Sequence, residues 1–395
     1  MMYVTRSLSL YKNNPSELSA PPPAGPNSGI LIVQDIKAER RCCFSVFREH
    51  LTMDLPFPQN KKLNLEYSYG FDPSEYHDNN DYFYAVFIPV LDLPLSSHRY
   101  YIIQTRGEHA GKAYTSSSEE EKATFCCCKV VRDVPPRQFN PNNTYQQFQI
   151  IPTRSLSGHE GFEAISMAAD GIPPFLFRRP GWTAHTSKID GFDSMEAHGV
   201  DSVLRSQLPD FNFPLPCKIS SPVVVGKWYC PYIFIRDGDV DVQMDRSMYY
   251  EMTLEQSWEE IFECENFEDG NRVVEFGVSV EKEVVVVLGK TVAGGERDVG
   301  NGFVWFSPAK IGLSLAIVER IKWQEEEGGF EWVEEGKEKE VKVKRREEFE
   351  GVGIVWKRFG CYVLVERFVL KRLDGTLVLS WEFRHTHQIR TKWWE

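Results

Sequence analysis

Apolar side chains recur at every second position through YVLVERFVLKRLDGTLVLSWEFRHTH, residues 362–387, and the run folds back once, at Asp374-Gly375. That dipeptide tolerates the positive φ angles of a tight two-residue turn, so the segment predicts a β-hairpin. Register follows by counting. Leu370 faces Leu379, Phe368 faces Trp381, Leu364 faces His385 and Tyr362 faces His387 on one side, while Arg367 meets Glu382 on the other. One face is mostly apolar and the other mixed, as in a strand pair lying on a core with its back to water.

Shorter β-type runs stand at 29–33, 82–89, 100–105, 124–131 and 146–151, after a proline-rich stretch at 19–29 and between clusters of Pro, Gly, Asn and Ser. They predict one β-rich unit over 1–152. The pattern weakens over 153–222, which reads as an irregular connector with one short helix at 201–208, opened by Asp201 as N-cap and closed by Pro209. Residues 223–238 are apolar on both parities, which predicts a strand buried on two sides and broken near Pro231. Thr253 and Gln256 have the spacing of a capping box, and Leu254, Trp258, Ile261 and Phe262 share a helical stripe, so an amphipathic helix is expected over 254–264. Alternation resumes in VVEFGVSVEKEVVVVLG, GFVWFSP and GLSLAIVERIKW. The charged stretch 325–350 suits a solvated edge hairpin or a partly disordered excursion. The fold class is therefore α+β and β-rich: two mainly antiparallel, sandwich-like β units, 1–152 and 223–395, with few short helices.

A chain of 395 residues is long enough for two or three domains. Its net charge of −12 and pI near 5.4 weigh against nucleic acid or anionic membrane as partners, because phosphate binding needs a concentrated basic surface. No apolar stretch approaches the roughly 20 residues of a transmembrane helix. The opening residues lack the apolar core of a secretory signal, Met2 excludes N-myristoylation, and RTKWWE is no prenylation box. Nine cysteines, an odd number that includes Cys42-Cys43 and Cys126-Cys127-Cys128, speak for a reducing cytoplasm or nucleus rather than a disulfide framework. The sequon at Asn142-Asn143-Thr144 would matter only in a secreted chain.

Three segments carry a resemblance: MYVTRSLSLYKNNPSELSAPPPAGPNSGILIVQD; GKWYCPYIFIRDG with SMYYEMTLEQSWEEIF; and FGCYVLVERFVLKRLDGTLVLSWEFRHTHQIRTKW. Together they resemble a plant family catalogued as a domain of unknown function. The resemblance implies a plant origin and an intracellular setting, and it brings no activity, cofactor or catalytic residue.

The candidate chemistry lies on the hairpin. His385 and His387, two apart on one strand, continue the face of Trp381 and Phe383, and Glu366 stands opposite Phe383 on the same face. Two imidazoles and a carboxylate are the ligand types of a zinc or iron site, or an acid/base pair; equally, they are polar groups that satisfy one another at the end of a core. Other patterns fall short. In a strand through 125–129, Cys126 and Cys128 face one side and Cys127 the other, which suits packing better than a metal. Only three residues separate Gly107 from Gly111-Lys112, and Ala113 stands where a phosphate-binding loop needs a hydroxyl. Asp237, Asp239 and Asp241 suggest calcium, but Val242 and Met248 stand where an EF-hand needs glycine and glutamate. No nucleophile elbow, zincin motif or dinucleotide fingerprint is present.

These features predict a non-catalytic module that binds a protein partner or a small ligand. A metal-dependent enzyme centred on Glu366, His385 and His387 is the alternative, and a lectin-like or membrane-active β module, with exposed tryptophans among Trp182, Trp305, Trp323 and Trp393, is the second.

Overall fold

The computed structural model of the chain describes residues 2–35, 41–42, 47–48, 51–52, 54–72, 77–125, 128–154, 160–188, 195–214, 216–267, 272–292, 297–307, 309–332, 340–351 and 355–394. They form two units, Met1–Ala197 with Tyr229–Tyr249, and His198–Trp228 with Tyr250–Glu395. Both are β-rich, with antiparallel sheets and a few short helices, as the alternation predicts.

In the first unit a seven-stranded antiparallel sheet runs in the order Glu160–Ser166, Gln147–Arg154, Arg99–Gln104, His77–Pro89, Lys61–Asp72, Thr183–Lys188, Leu51–Thr52. Its inner face buries Leu63, Leu65, Phe87, Tyr100, Ile102 and Phe162 around Phe57, Phe177 and Trp182. Two of these strands and the Pro174–Trp182 segment come from the stretch read as a connector. Phe162, Ala164 and Ser166 are buried by twos while Glu163 and Ile165 face outward, so the connector reading is corrected for 160–188. The helix inside that stretch is as expected, Ser202–Gln207, with Asp201 accepting from the Leu204 amide. The run 124–131 is not one strand, because Lys122–Phe125 pairs back on Cys128–Val131 with Phe125 opposite Cys128. Cys126 and Cys127 lie outside the described residues.

In the second unit Tyr249–Glu265, Arg358–Arg372, Leu377–Trp394, Glu283–Val287 and Lys290–Val292 lie side by side in one antiparallel sheet. The helix expected over 254–264 is a strand. Tyr250, Met252, Leu254, Gln256 and Trp258 are all buried on one face, a period of two that satisfies the sheet. The helix lies elsewhere, at Leu315–Glu327, where alternation suggested β structure. Ser314 caps it by accepting from the Ile317 amide, and Ile317, Val318, Ile321, Gln324 and Glu325 form its buried stripe. Within the charged stretch, Glu340–Glu348 pairs along its whole length with Val273–Glu281, and residues 333–339 lie outside the described residues.

The hairpin register holds where counting was simplest. Leu370 faces Leu379, Phe368 faces Trp381, Glu366 faces Phe383 and Leu364 faces His385. Arg367 Nε donates to Glu382 Oε1 at 2.8 Å across the strands. The bend itself is one residue longer than a two-residue turn. The Gly375 amide donates to Arg372 O and the Arg372 amide to Thr376 O, with Gly375 alone at φ +83°, which is a type I turn closed by a glycine bulge. A second irregularity takes Val363 to Ile389 before Leu364 meets His385, so Tyr362 faces Arg390 and not His387. Gly375→Val is expected to destabilise the fold by about 1–2 kcal/mol, since a β-branched residue resists positive φ. A denaturant midpoint equal to that of the parent would show that this bend adapts freely.

Candidate functional site

Glu366 occupies the middle of a central strand, with Gln256 beside it on one neighbour and Phe383 on the other. An acid at such a position must find partners, and they arrive from three elements. Arg205, on the Ser202–Gln207 helix, donates from Nε to Glu366 Oε1 at 2.8 Å and from Nη2 to Oε2, a two-pronged grip on the carboxylate. Gln256 Nε2 donates to Glu366 Oε1 at 2.8 Å and to the Arg205 carbonyl at 3.1 Å, fixing the helix to the sheet. His385 Nε2 lies 3.1 Å from Glu325 Oε2 and 3.3 Å from Glu366 Oε2, and Arg205 Nη1 donates to the Gln324 carbonyl at 2.9 Å. Glu325, Glu366 and His385 are each 1% exposed or less.

Electrostatics follow from this enclosure. Burial would push the Glu366 carboxyl up, but the Arg205 guanidinium, aided by His385, holds it well below the usual carboxylate range. Burial raises Glu325 to about 7, with the Glu366 charge adding to the effect. Burial would lower His385, but its contacts to Glu325 and Glu366 outweigh that and raise it to about 9. One guanidinium and one imidazolium thus face the Glu366 carboxylate and a second acid, Glu325, that holds its proton up to about pH 7.

The geometry brings Glu366 and His385 together, as their shared sheet face predicts. His387 is exposed and outside the convergent group, although its ring stays 5.4 Å from that of His385, and the irregularity between Val363 and Leu364 displaces residues 386–388 from the paired register. Its place is taken by Glu325, and among the described residues Glu325, Glu366 and His385 form the one group of three whose ligand-type atoms converge, all within 4.8 Å. Glu325 and Arg205 escaped the sequence reading, the first inside a charged run and the second inside the supposed connector. The buried stripe Ile317, Val318, Ile321, Gln324, Glu325 was the signal for the first; Arg205, one turn after the capping Asp201, had none.

The other motifs resolve into local structure. Gly107 and Gly111 take φ +87° and +79° in a loop closed by hydrogen bonds between Gln104 and both Gly111 and Lys112, which is a turn and not a phosphate cradle. Asp239 stands at the start of the Val240–Arg246 helix, outside the convergent group. Trp182 is buried, and Trp305, Trp323 and Trp393 are half-buried. Cys217, Cys230, Cys264 and Cys361 are free thiols.

Residues 24–128 match the model of a family described as a protein of unknown function, DUF1262. That match agrees, over those residues, with the resemblance to an uncharacterised family. Comparison with curated proteins found no match. Among solved structures the chain is similar to the crystal structure of Cry35Ab1, at 13% identity and a TM-score of 0.46, covering 85% of this chain and 90% of that one. No helix among the described residues is long and apolar enough to cross a membrane.

Proposed function

We propose that the chain is a non-catalytic module that binds a protein or a small ligand in the plant cytoplasm, and that the buried cluster is a structural clasp. The observation that carries this reading is the grip of Arg205 on both oxygens of Glu366. A catalytic carboxylate needs a free oxygen and a path for substrate, whereas this one is 1% exposed and fully engaged. A divalent cation fits poorly for the same reasons: Arg205 already holds both oxygens of Glu366, and a cation would have to displace that guanidinium. The half-buried tryptophans give little support to a sugar-stacking platform. Free thiols suit a reducing compartment, and the plant setting rests on the resemblance of the three long segments.

Elemental analysis of purified chain tests the choice between clasp and metal enzyme. The clasp reading expects far less than one metal per chain and a melting temperature indifferent to chelator. Stoichiometric metal, with a melting temperature that falls in chelator, would replace it with the enzyme reading.

A further inference from the structure

Beside the clasp, where the chain leaves the Ser202–Gln207 helix, an open recess of about 490 Å³ lies between residues 207–212 and the strand segment 390–392. Its size is that of a small-molecule site. Two cations furnish it. Arg390 lies over the ring of buried Trp258, 4.9 Å from the centroid, and 5.8 Å from that of Phe211. Lys392 Nζ donates to the Phe213 carbonyl at 3.0 Å and sits 5.1 Å from the Phe213 ring centroid. Two apart on one strand, both side chains reach the same side, and no carboxylate pairs with either among the described residues. Asp210 also lines the recess, but its Oδ1 is turned to its own loop, where it accepts from the Asn212 amide at 3.0 Å.

Arg205, Arg297, Arg367 and Arg384 in the same unit each meet a glutamate. Arg390 and Lys392 are instead stacked on aromatic rings and form no salt bridge among the described residues. Such an arrangement has already lost the side-chain freedom that binding would otherwise cost. The floor is apolar, from Leu208, Pro209 and Phe211. We infer that this recess binds a small anion, carboxylate or phosphate, carried on a flat apolar body. The inference deepens the binding-module reading and rests on it.

Calorimetric titration of the full chain at low ionic strength tests it, with phenyl phosphate, benzoate and inorganic phosphate as probes. Phenyl phosphate or benzoate should bind, and whichever is tighter identifies the anionic group; inorganic phosphate should bind at least about tenfold more weakly, lacking the apolar body. Arg390→Gln should weaken the aromatic anion about tenfold, and Asp210→Asn should tighten it about twofold, a gain that a misfolded variant cannot produce. A remote exposed substitution, Lys290→Gln, should change nothing. Absence of binding by all three probes, equal affinity for inorganic phosphate, or an equal loss in Lys290→Gln would overturn the site. None of those outcomes bears on the clasp, which the metal analysis tests separately.

Discussion

Arg205→Met should destabilise the second unit by about 3–5 kcal/mol at neutral pH, the usual cost of removing one partner from a buried ion pair. The substitution keeps the aliphatic stem and removes only the fork that grips Glu366. Glu366 would then remain buried on a central strand with only Gln256 and His385 beside it. The Ser202–Gln207 helix would also lose its bond to the Gln324 carbonyl, and with it a link to the Leu315–Glu327 helix. For a unit of this size the melting temperature should fall by about 10 °C. The double variant Arg205→Met/Glu366→Leu should recover most of that loss, because no uncompensated charge stays in the interior. Calorimetric melting of the parent, both single variants and the pair closes the cycle. Additive losses would mean that the guanidinium and the carboxylate act independently, and the clasp would not exist.

What could be seen of this arrangement in the sequence was whatever two adjacent strands encode between themselves. Leu370 opposite Leu379 and Leu364 opposite His385 follow from period two and one bend, and the bend could be off by a residue without harm because its glycine bulge restores the count beyond Leu370. Beyond Leu364 nothing local signals the extra residues that take His387 out of its pairing with Tyr362. The residues around Gln256 satisfy two periods at once: Tyr250, Met252, Leu254 and Trp258 by twos, and Leu254, Trp258, Ile261 and Phe262 by helical steps. A polar residue in the middle of the first series argues against a strand only until Glu366 is known to lie beside it. Glu325 and Arg205 belong to elements far apart in the chain, and their convergence on Glu366 depends on tertiary packing that no periodicity reports.

The stability of the second unit should fall as pH rises from weakly acidic to alkaline, opposite to a fold limited by its carboxylates alone. His385 is raised from 6.5 to about 9, so its contribution is complete below 6.5 and is lost as pH climbs through about 9. Glu325, raised from 4.5 to about 7, acts in the same direction at lower pH: the folded unit retains a proton that the unfolded chain releases. Glu366 runs the other way. Its carboxyl is depressed below 4.5, so its contribution is present above that value and is lost as pH drops through the depressed one. The sum places the maximum near pH 4.5, where the gain from Glu366 ends and the loss from Glu325 begins; the alkaline decline is shared, by Glu325 up to about 7 and by His385 from 6.5 to about 9. Urea midpoints measured from about pH 5 to 10 give the profile. His385→Gln should flatten its alkaline arm, and Glu325→Gln should remove the part between 4.5 and about 7 while leaving the higher arm reduced, because His385 then faces Glu366 alone. An alkaline arm that survives His385→Gln unchanged would place the titrating group elsewhere and leave the imidazole neutral between its two acids.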